Sequence, residues 1–196
     1  LRKHFNGLPW NQWPKEVVQR QPAALKQYRQ LLGEEVEYQY FLQYIFFTQW
    51  QALKNYAGQK GIRLVGDVPI FVSHDSSDVW AHQELFDLDG QGKPRTVAGV
   101  PPDYFSEDGQ LWGNPHYQWE RMAKNDYSWW RERFQILFRL VDIVRVDHFR
   151  GFESFWEVPA TAKTAAKGRW VKGPGAAFFR VLEKHLGKLP IIVEDL

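Results

Sequence analysis

The 196-residue sequence contains no cysteine and only one methionine. That excludes a disulfide framework, thiolate zinc sites and iron-sulfur clusters, and is compatible with a reducing compartment. Blocks of like charge are missing too: 25 Lys plus Arg stand against 23 Asp plus Glu, a formal net charge of +2. Nothing electrostatic therefore draws the chain to nucleic acid or an anionic membrane, and a neutral partner fits better. No apolar run is long enough to span a bilayer, and the first residues, LRKHFNGLPW, lack the apolar core of a signal peptide. A cytoplasmic protein without nucleic-acid or membrane partners is expected. The six His show neither HExxH nor any comparable ligand spacing, and no GxSxG occurs. The string GRWVKGPG at 168–175 begins like a phosphate loop but has Pro174 where the Lys should stand, so a loop and helix start is expected there. Neither a metal nor a cofactor is expected.

Aromatic residues are plentiful. Ten Trp, eight Tyr and fourteen Phe make up 16% of the chain. For any single ring the first expectation is a place in the core, given the area it buries. Trp80, Tyr104, Phe105, Trp112 and Tyr117 lie instead among Gly, Pro, Asp and Ser, where a flat ring can stack on the apolar face of a sugar.

Periodicity points to an α/β fold. Residues 1–33 carry Pro9, Pro14 and Pro22 and short helical pieces. Glu34 to Gln59 has the pattern of one long helix, with Phe46, Trp50, Leu53 and Ala57 on its expected buried face and Gly58 or Gly61 at its end. Ile62 to Val65 leads as a strand into Gly66-Asp67-Val68-Pro69, with Asp67 at its tip. His74 to His116 shows no period; a connection this long and this aromatic is more consistent with function than with disorder. A helix is expected over Ser128–Leu140, capped by Asp126 or Ser128, with Trp130, Phe134, Leu137 and Leu140 on one face. Val141–Val146 is expected as a strand, the residues to Gly173 as a loop, Pro174–His185 as a helix ended by Gly187, and Leu189–Val193 as the last strand. Strands alternating with helices imply right-handed crossovers and a parallel sheet, open or closed.

Ligands of such sheets bind at the C-terminal ends of the strands, where Asp67, Asp147 and Glu194 are expected. An Asp at such a junction often only caps the next helix. Two features weaken that alternative. Glu is a poor N-cap, and Arg145, two residues before Asp147 and so on the same strand face, sets a guanidinium beside the carboxylate to hold it ionised and oriented. Paired carboxylates at adjacent tips are what glycosidic-bond chemistry needs.

The strings GDVPIFVSHDSSDVW (66–80), VAGVPPDYFSEDGQLWGNPHYQW (97–119), DIVRVDHFRGF (142–152) and IIVEDL (191–196) together resemble the 4-α-glucanotransferases, the amylomaltase or disproportionating-enzyme family. The resemblance runs from about Glu37 to the last residue. It implies a (β/α)8 TIM barrel of the α-amylase superfamily, with 37–196 forming part of it, loop 74–116 included, and 1–36 a peripheral helical segment. It implies retaining transfer between α-1,4-glucans and maltooligosaccharides, with Asp147 as nucleophile and Glu194 as general acid/base. Arg145 matches the arginine that orients the nucleophile, Asp67 a site residue supporting the strand tips, and His148 a neighbour of the nucleophile. Asp103, Phe105, Gln110, Trp112 and Asn114 match a loop that covers bound glucan. A third carboxylate, from a His-Asp pair on a later strand, is expected beyond Leu196; Asp75, Asp103 and Asp195 are the stand-ins within the chain. The chain is thus expected to be an internal piece, inactive alone. A catalytically inactive glucan-binding fragment and an α-glucan hydrolase are the alternatives.

Overall fold

The computed structural model describes residues 1–195, and the chain divides into two compact units, residues 1–63 and 64–196. The first unit is helical: α1 (Lys15–Val18), α2 (Pro22–Leu31) and α3 (Gly33–Gln59). Prolines open the shorter helices, Pro22 standing in the first turn of α2 where its missing N–H costs nothing. Gly61, at φ +72°, ends α3: its N–H bonds Gly58 O and that of Ile62 bonds Ala57 O, the Schellman arrangement. The expected buried stripe of α3 is not there. Ala57 is buried, Trp50 is half-buried, and Phe46 and Leu53 are exposed, along with Tyr38, Phe41, Tyr44 and Tyr56. The spacing made the helix and lets Phe46 stack on Trp50 one turn on (5.9 Å between centroids), but apolar residues occur on several sides, so no single stripe is singled out for burial.

The second unit is α/β. Its parallel sheet has the order β1-β4-β7, from β1 (Val65–Pro69), β4 (Ile143–Asp147) and β7 (Ile191–Val193), which hold the intervening elements named below in chain order. Between β1 and β4 come α4 (Ser77–Ala81), β2 (Thr96–Val100), β3 (Gln110–Pro115), α5 (Trp119–Ala123) and α6 (Ser128–Leu140). Between β4 and β7 come β5 (Ser154–Pro159), β6 (Arg169–Lys172) and α7 (Gly175–Leu186). The four middle strands form a separate antiparallel sheet, β3-β2-β5-β6.

That sheet corrects two expectations. The stretch 74–116 carries β2 and β3 rather than being structureless, and the supposed loop to Gly173, including the start of GRWVKGPG, carries β5 and β6. Its strands are short, and β2 and β5 pair between residues far apart in sequence (Thr96 opposite Pro159, Gly99 opposite Trp156), so no local period announces them. β2 also bulges between Val97 and Gly99, and a Cβ on Gly99 would lie 2.3 Å from Gln110 O, so only glycine fits.

Aromatic side chains fill the core of this unit. Trp130 and Phe134 from α6 and Phe178 and Leu182 from α7 are fully buried, with Val144 and Val146 of β4. Phe152 stacks on Phe178 (4.9 Å, 22°) and Trp119 on Trp130 (6.2 Å, 16°), geometries that contribute beyond area burial. Helix α6 starts where expected but is not capped by Asp126 or Ser128. Tyr127, left-handed at φ 50°, is the N-cap, and Asn125 Oδ1 accepts from Ser128 N–H.

Candidate active site

Along β4 the side chains alternate: Val144 and Val146 face the core, and Arg145 and Asp147 share the opposite, open face. The register sets Asp67 of β1 directly opposite Arg145, and Pro69 opposite Asp147. Asp67 is therefore in the middle of β1 rather than at its tip, a correction to the sequence-based expectation. Asp147 is the last residue of β4, and Glu194 follows the last residue of β7.

One guanidinium joins all three carboxylates. Arg145 Nη1 lies 2.7 Å from Asp67 Oδ1, while its Nη2 lies 3.1 Å from Asp147 Oδ1 and 3.5 Å from Glu194 Oε1. The oxygens of Asp147 and Glu194 that share this nitrogen stand no farther apart than those last two distances laid end to end. Asp67, hydrogen-bonded to Arg145, holds the guanidinium above its already high ordinary range.

Backbone bonds stitch the turn after β4 to the turn after β7. Phe149 N–H donates to Glu194 O and Arg150 N–H to Asp195 O (2.8 Å each), and Glu194 N–H donates to Val146 O (3.2 Å). His148 N–H donates to Glu194 Oε2 at 3.0 Å, and His148 Nδ1 lies 3.2 Å from Asp195 Oδ2. Both His148 (φ 54°) and Asp195 (φ 58°) are left-handed, a conformation non-glycine residues adopt at a cost and which clusters at functional sites. The wall beside them is braced from behind: Tyr117 O–H donates to Ile70 O (2.7 Å), and Arg133, 4.8 Å from the Trp130 ring, donates to Pro69 O (3.1 Å). Tyr117, expected among the exposed rings, is thus a buried strut, its hydroxyl pushed well above the ordinary tyrosine range mainly by burial.

A cavity of about 480 Å³ opens beside the carboxylates, within the usual size of ligand pockets, roughly 300–1,000 Å³. Asp147 and His148 line it, with Phe71, Trp112, Asn114, Ser73 and Asp78. Trp112 stands edge-on to His148 (4.8 Å) and receives Gln110 Oε1 as acceptor for its indole N–H (3.1 Å). Of the expected site residues, Asp67, Arg145, Asp147, His148 and Glu194 come together, and Trp112 and Asn114 share the cavity lining with Asp147 and His148. Asp103, Phe105 and Gln110 do not line it. Asp103 Oδ1 accepts from Phe105 and Ser106 N–H (2.8 Å each) and organises a turn that leaves Tyr104 97% and Phe105 92% exposed. Trp80 is half-buried. Among the described residues no His, Asp or Glu cluster can hold a metal ion.

Sequence reasoning named Asp195 only as a stand-in acid and missed its contact with His148; it also missed Phe71, Tyr117's bracing role, Arg133 and Asp78. Arg133 is 64 residues from the Pro69 carbonyl it binds, and no local signal marks it.

A family model described as 4-alpha-glucanotransferase matches residues 1–196. The 4-alpha-glucanotransferase of Thermus thermophilus is 50% identical over 196 residues, covering 100% of this chain and 39% of that protein. The chloroplastic/amyloplastic 4-alpha-glucanotransferase of Solanum tuberosum is 44% identical over 191 residues, 97% of this chain and 33% of that protein. A solved amylomaltase from Streptococcus agalactiae, in complex with acarbose, superposes with a TM-score of 0.95 at 44% identity, covering 100% of this chain and 40% of its own. The chain thus spans well under half the length of the relatives it matches.

Proposed function

The chain belongs to the 4-alpha-glucanotransferase family, and from that premise we propose that its residues carry the donor chemistry of a retaining transfer of α-1,4-glucan segments between maltooligosaccharides. The observation that carries this is the single nitrogen, Arg145 Nη2, lying within 3.1 Å of Asp147 and 3.5 Å of Glu194 at the C-terminal ends of adjacent parallel strands. Retaining enzymes hold their two carboxyl groups about 5–5.5 Å apart, with no room for an inverting water between them. A guanidinium shared by both carboxylates supports the retaining reading.

In this account Asp147 attacks the anomeric carbon while Glu194 protonates the departing oxygen, which leaves a glucosyl ester on Asp147. Glu194, now a base, removes the proton of an acceptor sugar's 4-hydroxyl as that oxygen displaces Asp147. Two inversions retain the configuration, and no cofactor enters. Arg145 aims Asp147 from one side and Asp67 fixes Arg145 from the other. Acceptor sugar must outcompete water, and Trp112 and the exposed rings of 103–114 are suited to stack on glucan and cover the site. Residues 37–196 would form part of a (β/α)8 barrel, with 1–36 peripheral to it. A cytoplasmic location belongs to the same proposal and rests on the cysteine-free composition; among the described residues no helix is long and apolar enough to cross a membrane.

The test is a chimera in which residues 1–196 replace the matching segment of the Thermus thermophilus enzyme, incubated with maltotriose. Glucose together with longer oligomers is the expected result. Shorter products alone would indicate a hydrolase, and unchanged maltotriose an inactive glucan-binding segment.

A further inference from the structure

The cavity has a carboxylate that the Arg145 cluster does not use. Asp78, in the first turn of α4, lines the same space as Asp147. Its backbone carbonyl accepts from His82 N–H, whereas its exposed carboxylate has, among the described residues, no hydrogen-bond or ion-pair partner. Capping is not its job, since Ser76 Oγ already accepts from Val79 N–H. A five-residue helix also offers little dipole for an acid to complement.

We propose that Asp78, assisted by the Ser73 hydroxyl, is a specificity-determining contact that grips the hydroxyl edge of a glucan residue whose apolar face rests against Trp112. This deepens the glucanotransferase reading and rests on it. A pyranose presents C–H faces and an edge of O–H groups, and a site for it needs rings for the one and acceptors for the other. Phe71 and Trp112 supply rings to this cavity, and Asp78, Ser73 and Asn114 supply polar groups. An ionised carboxylate is acceptor-only, with two oxygens, so it takes two neighbouring hydroxyl donors at once. Being unpaired and exposed before binding, it gives up no internal bond when sugar arrives. The contact is made in ground state and transition state alike, so it acts on binding rather than on the chemical step.

The test is isothermal titration of the 196-residue protein with maltotriose and with its monodeoxy analogues, for the unsubstituted chain, Asp78→Asn and Asp147→Asn. Hydrogen bonds to charged groups predict that Asp78→Asn weakens maltotriose binding by about tenfold or more. At least one monodeoxy analogue should bind the unsubstituted chain about tenfold less tightly than maltotriose, and Asp78→Asn should no longer distinguish the two. A residue that only supported the fold would not erase discrimination against one missing hydroxyl. Asp78 is exposed and unpaired, so the variant should keep its circular dichroism; should it lose it, Ser73→Ala is read in the same way, with a few-fold loss expected. Undiminished binding, or undiminished discrimination, by Asp78→Asn overturns this inference while leaving the glucanotransferase reading intact. An unsubstituted chain that binds no maltotriose overturns this inference alone, since the glucanotransferase reading is decided by the products of the chimera.

Discussion

The two sheets of the second unit treat charge in opposite ways. On the open face of the parallel sheet one cation, Arg145, is shared by three carboxylates, and Asp67, Asp147 and Glu194 are 61%, 43% and 40% exposed. Beside and within the antiparallel sheet, Asp87, which precedes β2, and Glu157 of β5 are matched and tied in. Asp87 pairs with Arg95 at 3.1 Å and accepts from Gln118. Glu157, only 15% exposed, pairs with Arg169 at 2.7 Å and accepts from Thr96. His116 is buried nearby between Phe155 (4.5 Å) and Phe71 (5.3 Å). An excess of exposed acid over base is set up to meet a reacting group; a balanced, shielded network holds loops in place. The first region should therefore answer to substitution in rate, and the paired and buried groups of the second in stability, with Trp112 of β3, which lines the cavity, the exception.

The largest effect is expected at Asp147. In the chimera Asp147→Asn should lower kcat at least about a thousandfold while leaving the melting temperature within a few degrees, because the reacting oxygen is lost and no core packing is. Equal losses of rate and stability would erase the contrast between the sheets. Arg145→Lys comes next, with a fall in kcat of about a hundredfold and little change in KM, since an ammonium on a flexible stem cannot hold three carboxylates in one plane. Steady-state kinetics on maltotriose reads both.

For the antiparallel sheet the corresponding measurement is stability against pH. Burial lowers the His116 pKa from 6.5 to about 4. The unfolded chain binds this proton near pH 6.5 and the folded chain only near 4, so the contribution is complete above 6.5 and is lost as pH falls toward 4. The loss is about 3 kcal/mol at most, at 1.36 kcal/mol per unit. His116→Phe, which keeps a ring against Phe71 and Phe155, should flatten the denaturation profile between pH 6.5 and 4; an unchanged slope would show that His116 is not its source. Smaller still is Trp112→Ala, expected to lower transfer relative to hydrolysis by roughly tenfold, because stacking positions an acceptor sugar and water needs no platform. Equal falls would assign Trp112 to packing. The smallest is Glu157→Gln. Its partner Arg169 is 77% exposed, so the change should cost under about 1 kcal/mol, read by urea melts, and leave kcat alone.

What was legible in the sequence follows the range of the forces involved. Helix α6 was readable from Ser128 to Leu140 because Trp130 and Phe134 recur at helical spacing and are buried against the sheet. The placement of Arg145 and Asp147 on one strand face followed from a period of two. The antiparallel sheet was not readable, since its pairings join β2 to β5 through backbone bonds that leave no pattern in short strands rich in Gly and Pro. In α3 a helical period was present on more than one side, so the period named the helix and mistook its face. Tyr117 lies among loop-type residues in sequence, yet its hydroxyl meets Ile70 47 residues away. In the site, the carboxylates were visible as ends of apolar runs, whereas the His148–Asp195 contact and the bracing by Arg133 exist only once the strands are side by side.

The most direct test of the account is to trap the intermediate. A Glu194→Gln version of the chimera, given α-maltosyl fluoride, has a leaving group that needs no acid and no base to release the ester, so the sugar should accumulate on the protein. Intact mass should rise by one maltosyl group, and peptide mapping should find it on the segment VRVDHF, at Asp147. A label on any other carboxylate, or an unlabelled protein releasing maltose of inverted configuration, would contradict the assignment of Asp147 as nucleophile and the retaining mechanism built on it.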